Sequence, residues 1–219
     1  MKSNSQKKLA EKIFHLLKKN YPNPKPALEY SNPFELLIAT ILSAQCTDER
    51  VNIVTKTLFK KYQKPEDYLK VSDEELQKDI YSTGFYKQKA KSIKSCCKEL
   101  IEKYNSKVPQ DFDLLTKLPG VGRKTASVIA GNAFGIPAIA VDTHVIRLSN
   151  IFHFVKTKDP EKIEMRLKEL LPQKDWIISS HLLASHGRKI CIARKPKCLE
   201  CFLADVCPSF DSINKNKSY

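Results

Sequence analysis

Apolar residues recur at helical spacing in segment after segment of this chain, and the two-residue alternation of a strand is nearly absent. Leu9, Ile13, Leu16 and Leu17 share one helical face before the Pro22-Asn23-Pro24-Lys25-Pro26 break. Ala90, Ile93, Cys97, Leu100, Ile101 and Tyr104 repeat the pattern before Pro109. Pro160 opens a further helix with Ile163, Leu167 and Leu170 on one face, and Pro172 closes it. Ile136 to Val141 is the one strand-like stretch and reads as an extended connector. The pattern predicts an all-α fold. At 219 residues the chain has room for one large domain or two small ones, each with its own core. No repeat with a period of about 20–50 residues and no long flexible linker divides it. The last segment, Ser209 to Tyr219, is polar and is expected to fray.

Charge narrows the partner. Lys and Arg number 38 against 24 Asp and Glu, a formal net charge of +14, which points to a polyanion. The longest core-like run, Leu36 to Leu42, is about a third of the ~20 residues a membrane span needs, so no membrane partner is expected. The amino terminus has no hydrophobic block of a signal peptide, and Glu11 with its Lys-rich surroundings fits a transit peptide poorly. Two stretches free of acids concentrate the charge: Lys87, Lys89, Lys91 and Lys94, and then Arg188, Lys189, Arg194, Lys195 and Lys197. Any single lysine of these could simply solvate a helix face, but the two clusters beside other motifs are expected to contact phosphates.

The sharpest local motif is Leu118-Pro119-Gly120-Val121-Gly122-Arg123-Lys124-Thr125-Ala126. One helix ends near Lys117, two glycines able to take positive φ make a tight turn, and a second helix starts near Arg123. The free N–H groups opening that helix suit a phosphate oxygen. This pattern resembles the helix-hairpin-helix DNA-binding motif. Lys124 falls in the first turn, where the positive end of the helix dipole opposes an ammonium and favours the neutral amine. Such an amine is either a plain phosphate contact or a nucleophile for a sugar aldehyde carbon. Eighteen residues on, Asp142 precedes the apolar spacing Val145, Ile146, Leu148 and reads as a helix N-cap. A carboxylate held still in that way could also support positive charge on a deoxyribose.

Seven cysteines, an odd number without a secretory signal, fit a disulfide framework poorly. Cys191, Cys198, Cys201 and Cys207 fall within 17 residues, and Cys46, Cys96 and Cys97 read as scattered structural thiols. Structural zinc sites usually pair two short Cys knuckles across a longer loop. The single C-x2-C in a compact loop better suits an iron–sulfur cube, with zinc as the alternative. Arg194, Lys195 and Lys197 lie inside the first loop of six, so the metal would stiffen a basic finger. His186 reads as a hydrogen-bonded core residue rather than a ligand.

Taken together, the hairpin, Lys124, Val141-Asp142-Thr143-His144 and the C-x6-C-x2-C-x5-C loop resemble the endonuclease III family of helix-hairpin-helix DNA glycosylase/AP lyases. The resemblance runs from about Lys25 to Cys207 and takes in Pro33-Phe34-Glu35-Leu36-Leu37-Ile38-Ala39 and Leu42-Ser43-Ala44-Gln45. It implies two helical domains: a six-helix barrel over 26–136, and a discontinuous domain of 1–25 with 137–219 carrying a [4Fe–4S] cluster on the four cysteines. It also implies an active site in the cleft between the domains, where duplex DNA bends and a damaged pyrimidine flips out. Lys124 would attack C1′, expel the base and hold the opened sugar as an imine during β-elimination. Asp142 would support the charge on the sugar and help bring Lys124 to its neutral form. Gln45 matches a glutamine that fills the hole left by the flipped base, and Phe85 stands where a leucine wedge is common. Gly120, Gly122, Arg123, Arg188, Arg194, Lys195 and Lys197 complete the expected DNA contacts. Cys46 replaces a typical alanine.

Adenine-mismatch glycosylases share the hairpin and cluster but carry a catalytic glutamate near the position of Thr40 and lack the hairpin lysine. Thymine-mismatch glycosylases also replace that lysine. The resemblance therefore implies an enzyme for oxidised pyrimidines and abasic sites in damaged double-stranded DNA. It would be a monomer in the prokaryotic cytoplasm, associated with the nucleoid. A non-catalytic DNA-binding or redox-sensing protein on the same fold is the rival, and the pair Lys124 and Asp142 argues against it.

Overall fold

The structure is a computed structural model and describes residues 2–215. It is helical, with no strand among the described residues. In chain order the helices are α1 (Lys2–Asn20), α2 (Pro33–Leu42), α3 (Asp48–Lys61), α4 (Pro65–Lys70), α5 (Asp73–Ile80) and α6 (Tyr86–Tyr104). They continue as α7 (Phe112–Lys117), α8 (Arg123–Phe134), α9 (Thr143–Ile151), α10 (Pro160–Leu170), α11 (Trp176–Lys189) and α12 (Phe210–Lys215). Residues 136–141 are an extended connector without ladder partners, as their short apolar run predicts.

Side-chain caps set most helix starts. Asn32, Thr47, Ser72, Asp111 and Asp159 each accept a backbone N–H from the first turn of α2, α3, α5, α7 and α10. Pro33 and Pro160 stand at the first helical position, where the missing N–H costs nothing. Among the helices whose N-cap residue accepts no such bond are α6, which follows Phe85 in left-handed geometry, and α8, which follows Gly122.

The chain forms two compact units, Pro26–Ile136 and Met1–Lys25 with Pro137–Tyr219. In the first, α2 is the buried centre: Leu36, Leu37, Ile38, Ala39 and Leu42 have no exposed surface, and the helix packs on α3, α6 and α8. A helix apolar on every side belongs inside, which is why its sequence shows no polar face. Cys96 and Cys97 are fully buried on α6, and burial pushes both thiols up, Cys96 to about 12. They are structural thiols, inert at neutral pH. In the second unit, Ile13, Phe14 and Leu17 of α1 pack with Val145 and Leu148 of α9, Ile163 and Leu167 of α10, and Leu182 and Leu183 of α11.

The carboxyl-terminal segment departs from the expected fraying. Ser209 is buried, and its hydroxyl lies 2.6 Å from the Ile151 carbonyl and 3.1 Å from His153 Nε2. That anchor supports α12; residues 216–219 of the tail lie outside the described residues.

Candidate active site and metal centre

The hairpin forms where its sequence places it. Helix α7 ends at Lys117, the Leu118 and Val121 amides donate to Leu115 O and Leu118 O, and α8 begins at Arg123. The two glycines differ in what they do. Gly120 has φ +79°, and a Cβ there would lie 2.9 Å from Ser92 Cβ on α6, so both conformation and space demand glycine. Gly122 does not share the positive φ expected for it: at φ −84° it is ordinary extended backbone, and a Cβ would meet nothing. Its job is to begin α8 without a side chain over the helix end. The first turn of α8 holds no acidic residue, and it presents Arg123 and the exposed Lys124. The Arg123 guanidinium stacks 5.4 Å from the Phe112 ring centroid.

In the other unit, Asp142 is the N-cap of α9. Its Oδ1 accepts from the Val145 amide at 2.8 Å, and the residue is half-buried. The cap uses one of the two carboxylate oxygens.

Gln45 and Phe85 lie on separate turns of the first unit, one after α2 and one before α6. Both have left-handed backbone, φ +53° and φ +49°, uncommon for residues with a Cβ. Both are exposed, Phe85 to 64%, with Gly84 at φ +71° just before it. A feature no sequence pattern flagged flanks Phe85 in the chain: exposed Tyr81 packs on Tyr86 with ring centroids 4.7 Å apart.

The first basic cluster is not what its spacing predicts. Lys87 and Lys91 are exposed on α6, but Lys89 is 5% exposed and bonds two backbone carbonyls. Lys94 is half-buried, paired with Asp73 and bonded to Val71 O at 2.6 Å. A helix turns 100° per residue, so lysines adjacent in sequence spread onto different faces. The second cluster keeps Arg188, Arg194, Lys195 and Lys197 exposed, while Lys189 lies 5.5 Å from the Tyr21 ring.

Cys191, Cys198, Cys201 and Cys207 line one cavity, closed by Ile151, Phe152, Leu203 and Phe210. Among the described residues, no three His, Cys, Asp or Glu side chains close on a single metal ion. Four thiols around one shared, apolar-walled cavity form an all-sulfur donor set, which suits iron–sulfur chemistry. Burial pushes Cys191 up to about 11, with Cys207, Cys198 and Cys201 adding to the rise; bound metal cations reverse that penalty. His186 is buried, 3.3 Å from the Tyr21 hydroxyl and 3.6 Å from Cys201 Sγ, which makes it a neighbour of the thiols within the core.

Arg147, on α9, touches the cysteine loop although no sequence pattern singles it out. Its Nη2 donates to Gly187 O at 3.0 Å and to Cys191 O, fixing the start of the cysteine loop. A Cβ at Gly187 would come within 2.6 Å of His144 Nδ1, so the glycine lets α9 and α11 approach. An isolated glycine inside a helical pattern is the signal that could have pointed there.

Comparison with known proteins gives this geometry its family. Residues 38–173 match the HhH-GPD superfamily of base excision DNA repair proteins, and residues 191–207 match the iron–sulfur binding domain of endonuclease III. Endonuclease III of Bacillus subtilis is 52% identical over 188 residues, 85% of this chain and 86% of that protein. The chain belongs to the endonuclease III family. The Escherichia coli K12 endonuclease III is 43% identical over 211 residues, 96% of this chain and 99% of its own. The protein in a solved non-covalent endonuclease III–DNA complex is 46% identical with a TM-score of 0.90, covering 94% of this chain and 98% of that one. As an endonuclease III family member, the chain is a base excision repair DNA glycosylase/AP lyase, and its cysteine loop is the site of a [4Fe–4S] cluster. No helix among the described residues is long and apolar enough to cross a membrane.

Proposed function

We propose that the enzyme removes oxidised pyrimidines from damaged duplex DNA and cuts 3′ to the abasic site through a Schiff base on Lys124. The observation that carries this reading is the exposed Lys124 in the first turn of α8, at a helix start with no side-chain cap and no acidic residue. From there its amine can reach a sugar carbon as a nucleophile. A trapped covalent DNA intermediate of an endonuclease III that is 46% identical supports a covalent step here as well.

The neutral Lys124 Nζ attacks C1′, the C1′–N bond breaks, and the base leaves with the electron pair and takes up a proton. The nitrogen then gives up one proton, O4′ takes one as the C1′–O4′ bond opens, and a protonated imine is left on C1′. Removal of a C2′ proton expels the 3′ phosphate as C3′–O3′ breaks and a C2′=C3′ double bond forms. Water then releases the lysine. Asp142 keeps Oδ1 on the Val145 amide and turns its remaining oxygen to the positive charge developing on the sugar.

Gly120, Gly122 and Arg123 bring backbone amides and a guanidinium to a phosphate; Arg188, Arg194, Lys195 and Lys197 bind others. Gln45 occupies the space of the extruded nucleotide and Phe85 wedges into the stack. Cys191, Cys198, Cys201 and Cys207 hold the [4Fe–4S] cluster, which cross-links the basic loop and, with four protein ligands, offers no open position for substrate chemistry. One copy carries both proposed catalytic residues, which supports a monomer, and DNA as substrate supports a cytoplasmic, nucleoid-associated enzyme.

The test is incision of thymine-glycol and abasic duplexes by wild type and Lys124→Gln. The expected result is that Lys124→Gln still binds the abasic duplex but loses at least about 10³-fold of incision. Incision within tenfold of wild type would remove Lys124 from the chemistry.

A further inference from the structure

Lys89 is the charged side chain buried deepest on α6, and it is not where a phosphate could reach it. Its ammonium donates to Leu42 O at 2.7 Å and to Thr83 O at 2.8 Å, and its own amide donates to Phe85 O at 3.0 Å. Leu42 ends α2 three residues before Gln45, and Thr83 stands two residues before Phe85. One lysine therefore grips the base of both turns that carry a left-handed, exposed side chain. Burial lowers its pKa, and Cys46, in the Gln45 turn, opposes that shift as the neighbouring acid. A buried ammonium is costly unless its donors are used, and here two backbone carbonyls take them.

We propose that Lys89 is a positioning residue that holds the Gln45 and Phe85 turns at one fixed separation, so that both side chains enter the duplex as a unit. The proposal rests on the reading of Gln45 and Phe85 as the residues that enter DNA. Insertion matters only where there is a stack to open and a partner strand to hold. Single-stranded abasic DNA offers neither, yet it still presents C1′ to Lys124. The separation between the turns should therefore govern duplex incision and leave single-strand incision alone. A small displacement of two coupled groups is enough for a loss of about 10–100-fold.

The experiment compares abasic-site incision on duplex and single-stranded oligonucleotides for the wild type, Lys89→Met, Lys89→Arg, Gln45→Ala and Phe85→Ala. In Lys89→Met, which keeps the apolar stem and loses the donors, duplex incision is expected to fall roughly tenfold or more, with single-strand incision within about twofold. Lys89→Arg, which keeps donors, should recover part of the loss. Adding Phe85→Ala to Lys89→Met should cost little more than Phe85→Ala alone, because both act on one insertion step. Should Lys89→Met melt at the assay temperature, Lys89→Gln, which retains an amide donor, carries the same comparison. Equal loss on both substrates in the folded variant, or no loss on either, overturns the proposal. Duplex-selective loss in Gln45→Ala and Phe85→Ala without it at Lys89 overturns the proposal alone. No selective loss in Gln45→Ala and Phe85→Ala overturns the reading beneath it and the proposal with it.

Discussion

Replacing Asp142 with asparagine keeps an oxygen that can accept from the Val145 amide, whereas alanine removes the cap altogether. Asp142→Asn is expected to melt within about 0.5 kcal/mol of wild type and yet lose glycosylase activity at least about 10²-fold. Asp142→Ala should add roughly 1 kcal/mol of destabilisation to the same loss. Thermal unfolding and single-turnover kinetics on one set of proteins separate the two roles; full activity in Asp142→Asn would leave only the cap. The hairpin glycines divide in a similar way. Gly120→Ala must accept φ +79° and a 2.9 Å approach to Ser92 Cβ, and is expected to cost about 2–3 kcal/mol in chemical denaturation. Gly122→Ala, in open space at φ −84°, should cost under about 1 kcal/mol. Single residues were legible in sequence where local chemistry fixes them, as with the Asp142 cap. They were not where the third dimension decides: nothing in Lys87-Gln88-Lys89 says that the second lysine points into the core, because one of the carbonyls it binds, Leu42 O, comes from 47 residues earlier in the chain.

Among elements, the long helices were readable because each shows several turns of apolar periodicity and ends at proline or a cap, as α1, α6 and α10 do. Helices α4 and α7, six residues each, are too short to show a period and form against their neighbours instead. The cysteine loop was legible from spacing alone, but its support was not, because Arg147 reaches it from α9 across more than forty residues of sequence. Arg147→Met leaves the Gly187 and Cys191 carbonyls without that donor. The cluster's visible absorbance should then bleach several-fold faster in the presence of an iron chelator than in wild type. An unchanged bleaching rate would mean that the loop does not depend on α9.

At the scale of the whole molecule, the discontinuous unit of Met1–Lys25 with Pro137–Tyr219 has no local signature. Periodicity says where helices are, and only packing of α1 against α9, α10 and α11 says which belong together. Charge was legible as a sum of +14 and misleading in part as an address, since Lys89 and Lys94 are spent on internal hydrogen bonds. Exposed Arg194, Lys195 and Lys197 are among the side chains proposed to bind phosphates. Changing all three to alanine should flatten the log–log salt dependence of abasic-duplex binding by about 0.9 for each phosphate left without its cation. A slope equal to wild type would move the interface elsewhere. The central claim is that one amine, Lys124 Nζ, bonds to the sugar. Its most direct test is borohydride reduction of the enzyme on an abasic duplex, followed by proteolysis and mass spectrometry of the adduct. The expected result is a reduced sugar remnant on the peptide containing Lys124, at that residue. A remnant on any other lysine, or on the amino terminus, would contradict the account.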